Sequence, residues 1–531
     1  MLFTSYEFIG FVLITFLLYY IVPKKIQWVV LLLSSYVFYA LADIRYVPYI
    51  LATTLITYLS GIAIQKHADK SKEYLNEHKE DFDKEAKKAY KNAAKRIRMR
   101  YAAVAVILVV GILSFVKYTN FILSGVNAVL QVFNPAGQFA LLDLLVPMGI
   151  SFYTFMAVSY VVDVYRGTTV AERNFFKYAL FISFFPHIVQ GPISRFKDMS
   201  ESLFEEHRFC MKTFSYGITR VLWGFFKKLV VADRIVTAVT TVIGAKDGEY
   251  RGVYALLGII FYTIELYADF TGGIDITIGI AQAMGISVKE NFIRPYFAKS
   301  LKEYWRRWHI TMCEWFRDYI FYPVSGSKWM NRLTKTCRKC FGEKIGRRIP
   351  VYVASFIVWF TTGLWHGASL NFIVWGLLNY VVLMISEECE PLYDKFHARF
   401  NVQGKTWYKV FQIGRTFILI CVLNLFDCFT NIGDTLHMLS GVFTVHNYGE
   451  LFTGGLLTLG LTIADYVVLV VAIVIMIAVS MAGRAESVRD RLQEQKFPVR
   501  ATLIALLFIS IIVFGAYGIG YDAGQFIYNK F

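Results

Sequence analysis

The stretch Ala102-Ala-Val-Ala-Val-Ile-Leu-Val-Val-Gly-Ile-Leu-Ser-Phe-Val116 carries no charged side chain, and it follows directly on residues 66–100, which hold 12 Lys/Arg and 7 Asp/Glu. So abrupt a change marks a boundary between water and hydrocarbon. The apolar run reads as a membrane helix and the charged run as a solvated, helical cytoplasmic loop. Phe8 to Val22 and Val467 to Val479 are equally free of charge. Across all 531 residues, 56% are hydrophobic, 17% aromatic and only 18% charged, which is more apolar surface than a soluble fold of this size buries. Lipid must solvate much of it.

Working outward, hydrophobic segments at 7–22, 27–42 and 47–64 precede the charged loop, and Lys24-Lys25 places the first connection inside. The first segment lacks a basic n-region and a small-residue cleavage site, so it is expected to be a span and not a removable signal. Further spans are expected near 101–117, 121–134, 140–162, 216–232, 252–284, 350–364, 368–386, 409–427, 455–482 and 500–519. The sequence therefore predicts a single all-α, polytopic integral membrane domain over 1–531 with about 11 spans. In Phe181-Ile-Ser-Phe-Phe-Pro-His-Ile-Val-Gln-Gly-Pro-Ile-Ser-Arg195, two prolines and a glycine interrupt an apolar run. Irregular backbone at membrane depth survives only inside protein or beside a watery cavity, so 181–195 is expected to be broken or re-entrant. The formal net charge of +16 reflects basic cytoplasmic loops and contact with anionic lipid, not nucleic acid. Seven scattered cysteines form no disulfide framework.

Three constellations carry chemistry. In Leu301 to Tyr322, the helical wheel sets Glu303, Arg306, Arg307, Glu314, Arg317 and Asp318 on one stripe and Tyr304, Trp305, Trp308, Met312, Trp315, Phe316 and Tyr319 on the other. That segregation predicts an amphipathic helix, with His309 at the edge of the aromatic stripe. A helix lying on the lipid surface with an incidental histidine is the plain alternative. Residues 294–348 as a block hold 14 basic against 4 acidic residues, which favours the cytoplasmic face.

Downstream, Phe360-Thr-Thr-Gly-Leu-Trp-His-Gly-Ala-Ser-Leu-Asn371 places His366 between apolar runs. A desolvated imidazole favours its neutral form and can act as a general base. In acyl transfer from a thioester, it would take the proton of an acceptor hydroxyl as that oxygen attacks the carbonyl. His309 is the candidate for orienting the acceptor or steadying the oxyanion. A lone intramembrane histidine otherwise serves as a hydrogen-bonded structural residue. The third constellation, Glu265, Asp269 and Asp275, punctuates an apolar helix. Its expected role is ion pairing with the arginines of 294–317. His187 is expected to line a cavity or hydrogen bond to backbone. Cys337-Arg-Lys-Cys340 has half a metal-site spacing, but with basic neighbours and no second pair it reads as a loop feature, so no metal is expected.

Arg294-Pro-Tyr-Phe, Tyr304-Trp-Arg-Arg-Trp-His-Ile-Thr311, Trp315-Phe-Arg-Asp-Tyr319 and Gly363-Leu-Trp-His-Gly367 together resemble the bacterial membrane-bound O-acyltransferase family. Within it the alginate O-acetylase branch is nearest and teichoic-acid D-alanyl transferase more distant. The resemblance extends through Met148 to Phe155, Tyr165-Arg-Gly167, Phe184-Phe-Pro-His187, Gln190-Gly-Pro192 and Ala268-Asp-Phe-Thr-Gly272. It implies a curved helical bundle with re-entrant segments and interfacial helices around a central funnel, His366 as the catalytic histidine and His309 as the second. It further implies a cytoplasmic thioester donor, acetyl-CoA or an acyl carrier protein, and an extracytoplasmic acceptor, often through an SGNH-type relay protein. Trp365, Trp308, Arg306, Arg307, Arg317, Asp318, Asp269, Asn371 and His187 are the candidate substrate-binding residues. Thr271 and Gly273 depart from the family pattern, where Ser and an aromatic are common. The expected function is transfer of a short acyl group, acetyl before D-alanyl, in a bacterial cell membrane. A transporter or flippase is the rival from another class, and the lack of an internal repeat counts against it.

Overall fold

A computed structural model describes residues 4–134, 137–245 and 249–517, and every regular element among them is a helix. They fall into two compact units. The first comprises residues up to 214 together with 280–289. It holds α1 (Tyr6–Ile21), α2 (Gln27–Ala42), α3 (Val47–Glu77), α4 (Lys84–Phe133), α5 (Ile150–Arg166), α6 (Phe175–Ser183), α7 (Phe185–Ile188) and α8 (Phe196–Phe204). The second takes in 215–279 and 290 onward. Its helices are α9 (Met211–Phe225), α10 (Asp233–Gly244), α11 (Val253–Ala283), α12 (Leu301–Trp305), α13 (Ile310–Phe316), α14 (Tyr322–Ser325), α15 (Lys328–His366), α16 (Leu370–Glu388), α17 (Glu390–Phe400), α18 (Thr406–Cys428), α19 (Ile432–Thr444), α20 (Ile463–Ala482), α21 (Val488–Glu494) and α22 (Phe497–Phe514). Among the described residues nine helices are long and apolar enough to cross a membrane, and α1 is a shorter apolar helix. The chain is an all-α, multi-pass membrane protein.

Two expected boundaries move. The spans anticipated at 101–117 and 121–134 form one helix, α4, of 50 residues. Asp83 caps it by accepting from the Ala86 N–H, and the junction Lys117-Tyr-Thr-Asn120 contains no proline or glycine to end it. The span expected at 140–162 starts only at Ile150, after Gly149 at φ 71°. Ahead of it, Asn120 and Asn127 on α4 each exchange paired hydrogen bonds with the backbone, at Leu142 and Phe139, so this non-helical chain is satisfied by protein.

The interruption at 181–195 is present. Helix α6 ends at Ser183, α7 is a single turn holding Pro186, and the chain then runs irregularly past Pro192. Nearly every residue from Tyr178 to Ser194 is buried, and the Ser35 hydroxyl accepts the Phe185 N–H freed by the break.

In the second unit, α9 continues through a π-helical segment, Phe226–Ala232, into α10, and this run packs along α11. A Cβ on Gly224 would lie 2.6 Å from the Gly272 carbonyl oxygen, and one on Gly279 would lie 2.8 Å from that of Gly217. Small residues seven apart on each helix therefore let the two backbones touch. Charges line the same seam. Arg220 reaches Asp275 at 2.8 Å and Glu290 at 2.5 Å. Lys227 pairs with Asp275 at 2.6 Å and donates to the Thr271 hydroxyl at 2.7 Å. Lys228 bridges Asp233 and Asp269 at 2.6 and 2.5 Å. The π segment's apolar residues, Val230 and Val231 among them, pack with Leu469, Ala472 and Met476 of α20 and Ile511 of α22.

The partners of Asp269 and Asp275 thus come from the α9 end of the sequence and not from the arginines of 294–317. The correction has a simple cause: helix pairing across the seam brings residues some fifty positions apart into contact, and spacing along the chain does not reveal it.

Candidate functional site

The stretch 301–322 is not the continuous amphipathic helix that its wheel predicts. It breaks after Trp305, restarts as α13 at Ile310 and passes through a π segment, Arg317–Phe321. At the break His309 has φ 45° and ψ 52°, the left-handed region, which a residue with a Cβ adopts at a cost of about 1–3 kcal/mol unless its surroundings hold it there. Asn291, fully buried, supplies that hold. Its carbonyl oxygen accepts from the Ile310 N–H at 2.9 Å. Its side-chain oxygen accepts from the Thr311 N–H at 3.1 Å and the Thr311 hydroxyl at 2.9 Å. The same amide lies 3.3 Å from His309 Nδ1. A second tie, Ile293 N–H to the Arg307 carbonyl at 2.9 Å, fixes the other side of the break.

The break turns the aromatic face into protein and not toward lipid. Tyr304, Trp305, Trp308, Met312, Trp315 and Phe316 are all buried. Trp305 donates its indole N–H to Asn379 on α16 at 3.0 Å and packs on Trp359 of α15 and Trp375 of α16. His309 is itself 0% exposed, with the Phe270 ring of α11 at 5.0 Å.

His366 is the last residue of α15, and α16 begins four residues later. A Cβ on Gly363 would fall 2.5 Å from the Phe372 carbonyl oxygen, so glycine at this position lets α15 and α16 cross closely enough to bring the α16 side chains around the imidazole. Around His366 stand Trp375 at 4.7 Å, Trp365 at 5.0 Å and Phe372 at 6.1 Å between ring centres. The Trp365 indole also lies 6.0 Å from the His309 ring, so one aromatic side chain touches both histidines. His366 is part-buried, whereas His309 is fully buried.

The other candidates divide. Trp365, Trp308 and Asn371 are buried, Trp365 between the two histidine rings. Asn371 donates to the Phe429 carbonyl at 2.6 Å and the Thr435 hydroxyl at 3.0 Å. Arg307 is engaged by Glu303 at 2.5 Å and by the Arg294 carbonyl at 3.3 Å, which closes the broken helix. Arg317, exposed, pairs with Asp318 at 2.9 Å, and that carboxylate raises the guanidinium above its usual range. Arg306 is exposed and Asp269 belongs to the charged seam. His187 lies in the first unit, buried, and its Nδ1 lies 3.4 Å from the Ser194 hydroxyl, a side-chain partner where a backbone one was expected. Cys337 and Cys340 are free thiols on α15, not loop residues. Among the described residues no group of three or more His, Cys, Asp or Glu is arranged to hold a metal. Asn291 escaped the sequence reading; an asparagine just ahead of the Arg294-Pro turn, within reach of the next histidine, was the available signal.

Comparison with known proteins bears on this arrangement. Residues 170–335, which include His309, match the model of MBOAT, the membrane-bound O-acyltransferase family. The probable alginate O-acetylase of Pseudomonas putida is 32% identical over 386 residues, 72% of this chain and 70% of the relative. The peptidoglycan O-acetyltransferase of Helicobacter pylori is 27% identical over 444 residues, 78% of this chain and 73% of the relative. The teichoic acid D-alanyltransferase of Bacillus subtilis is 27% identical over 285 residues, 52% and 66% of the two chains. Against the Pseudomonas syringae alginate O-acetylase the match spans 66% of the relative's length. At 32% identity over more than two thirds of each chain, this relationship places the protein among the membrane-bound O-acyltransferases.

Proposed function

We propose that the protein transfers a short acyl group, acetyl first, from a cytoplasmic thioester to a hydroxyl on the extracytoplasmic side, carried by a polysaccharide or by a relay protein of the SGNH type. The observation that carries this reading is the convergence of His366 and His309 on Trp365, with the first part-buried and the second fully buried. In the reaction, neutral His366 accepts the proton of the acceptor hydroxyl while its oxygen attacks the thioester carbonyl carbon. The tetrahedral intermediate then expels the thiolate, the carbon–sulfur bond breaks, and the imidazolium returns its proton to the departing sulfur. His309 steadies the site beside the developing oxyanion. Acetyl-CoA or an acyl carrier protein supplies the thioester as a substrate. The alternative, D-alanyl transfer to teichoic acid from a carrier protein, is supported by the Bacillus subtilis relative and differs in donor, acyl group and acceptor.

The test is transfer of labelled acetyl from acetyl-CoA to a soluble acceptor by the protein in vesicles without an ion gradient. His366→Ala should abolish transfer at unchanged expression. Full transfer by that variant, or transport that collapses with the gradient, would overturn the reading.

A further inference from the structure

At the end of α1 the chain turns through Pro23-Lys-Lys-Ile26, and the loop that follows α8 is tied to this turn. Between them lies an open groove of about 770 Å³ whose lining includes Tyr20, Lys24, Lys25, Glu206, Arg208 and Phe209. All of these residues belong to the first unit. We propose that the groove binds an anionic phospholipid of the cytoplasmic leaflet, with its phosphate held by Lys24, Lys25 and Arg208 and an acyl chain laid along α1.

Charge is the first argument. Three Lys/Arg side chains line the groove against a single carboxylate, that of Glu206. Among the described residues none of the three cations is held in an ion pair, so their charge is left for a ligand. The buried bases of the α9–α11 seam differ in this respect: Arg220, Lys227 and Lys228 are all engaged by carboxylates. The positive-inside rule puts Lys24-Lys25 on the cytoplasmic side, where anionic lipid gives the membrane surface a negative potential.

The apolar surroundings select a lipid over a soluble phosphate. Leu13, Leu17 and Ile21 follow one another at intervals of four on α1 and are 59%, 60% and 76% exposed. They form a strip about 12 Å long that ends one turn short of the two lysines. Phe209, half exposed, borders the other side, its ring 5.4 Å from Tyr20 and 6.2 Å from Phe16. A headgroup on the cations therefore leaves its chain against hydrocarbon side chains, a surface that a free phosphate or a nucleotide would not use.

The groove is also formed in advance of any ligand. Gln27, buried, donates to the His207 carbonyl and accepts from the His207 N–H, both at 2.9 Å, and donates to the Tyr19 carbonyl at 3.1 Å. His207 Nε2 donates to the Ser202 carbonyl at 2.7 Å. One amide thus fixes the loop that carries Arg208 against the basic turn, which lowers the ordering cost of binding.

The test titrates the full-length protein, solubilised in a non-ionic detergent, with phosphatidylglycerol and separately with phosphatidylcholine, and follows the unfolding temperature. Phosphatidylglycerol should raise it and phosphatidylcholine should not. Arg208→Gln should increase the half-saturating phosphatidylglycerol concentration about fivefold, and Lys24→Gln with Lys25→Gln about twenty-five-fold. Glu206→Gln should lower it, a direction that damage to the fold would not produce. Leu17→Asn should weaken the response to phosphatidylglycerol through the chain alone. A half-saturation that stays put in both cation variants overturns the site. Glycerol 3-phosphate or coenzyme A stabilising the protein as well as phosphatidylglycerol does, at equal concentration, overturns the lipid in favour of a soluble phosphate.

Discussion

Two polar regions lie buried in the second unit, and they are built on opposite terms. Along the α9–α11 seam the groups are charged, and the acids meet bases at 2.5 to 2.8 Å: Arg220 and Lys227 with Asp275, Lys228 with Asp269 and Asp233. At the histidine site the polar groups are amides, hydroxyls and imidazoles set among aromatic rings, and what is unusual is the backbone, left-handed at His309. The contrast shows that ionisable residues at membrane depth do not by themselves mark catalysis. Charges satisfied by one another hold helices together, whereas the imidazoles proposed to react are positioned by aromatic packing and by the Asn291 hydrogen bonds.

The comparison can be broken at either end. His366→Ala should lower acyl transfer about 10²- to 10⁴-fold with no loss of thermal stability in detergent, the signature of a group spent on chemistry. Asp275→Ala should do the reverse: leaving the buried Lys227 without its carboxylate, and Arg220 with Glu290 alone, costs about 3–5 kcal/mol, read as a lowered unfolding temperature, with activity per folded molecule retained. Asn291→Ala sits between the two. Freeing the backbone around His309 should cost about 1–3 kcal/mol and also reduce the rate, so both readouts move together. Arg306→Gln, on an exposed residue outside both regions, should change stability by no more than about 0.5 kcal/mol and leave transfer as it was.

Much of this was legible in the sequence, and what was not had a common cause. Charge-free runs such as 102–116 disclose membrane helices because hydrocarbon tolerates little else, and Pro186 and Pro192 disclose the break in the first unit because proline cannot continue the ladder. His366 and His309 are candidates by chemistry, but a structural role was equally open until the family resemblance singled them out. Periodicity misled at 301–322, where the wheel was sound but the chain turns at His309; a side-chain pattern reports which face is apolar, not whether the backbone stays helical. Pairing was equally hidden. Nothing in Lys227-Lys228 shows that these two bases insert between α9 and α11, because that depends on Gly217, Gly224, Gly272 and Gly279 allowing the helices to touch.

The backbone at residue 309 also governs how any replacement there should be interpreted. Alanine would remove the ring and at the same time disfavour the turn that α13 grows from, so a dead enzyme would conflate two losses. Asparagine, which tolerates that turn better than most residues, removes the imidazole while sparing the bend. Glycine spares the bend entirely and frees it as well. The spread in activity among these three substitutions would apportion the residue's worth between its ring and its hinge.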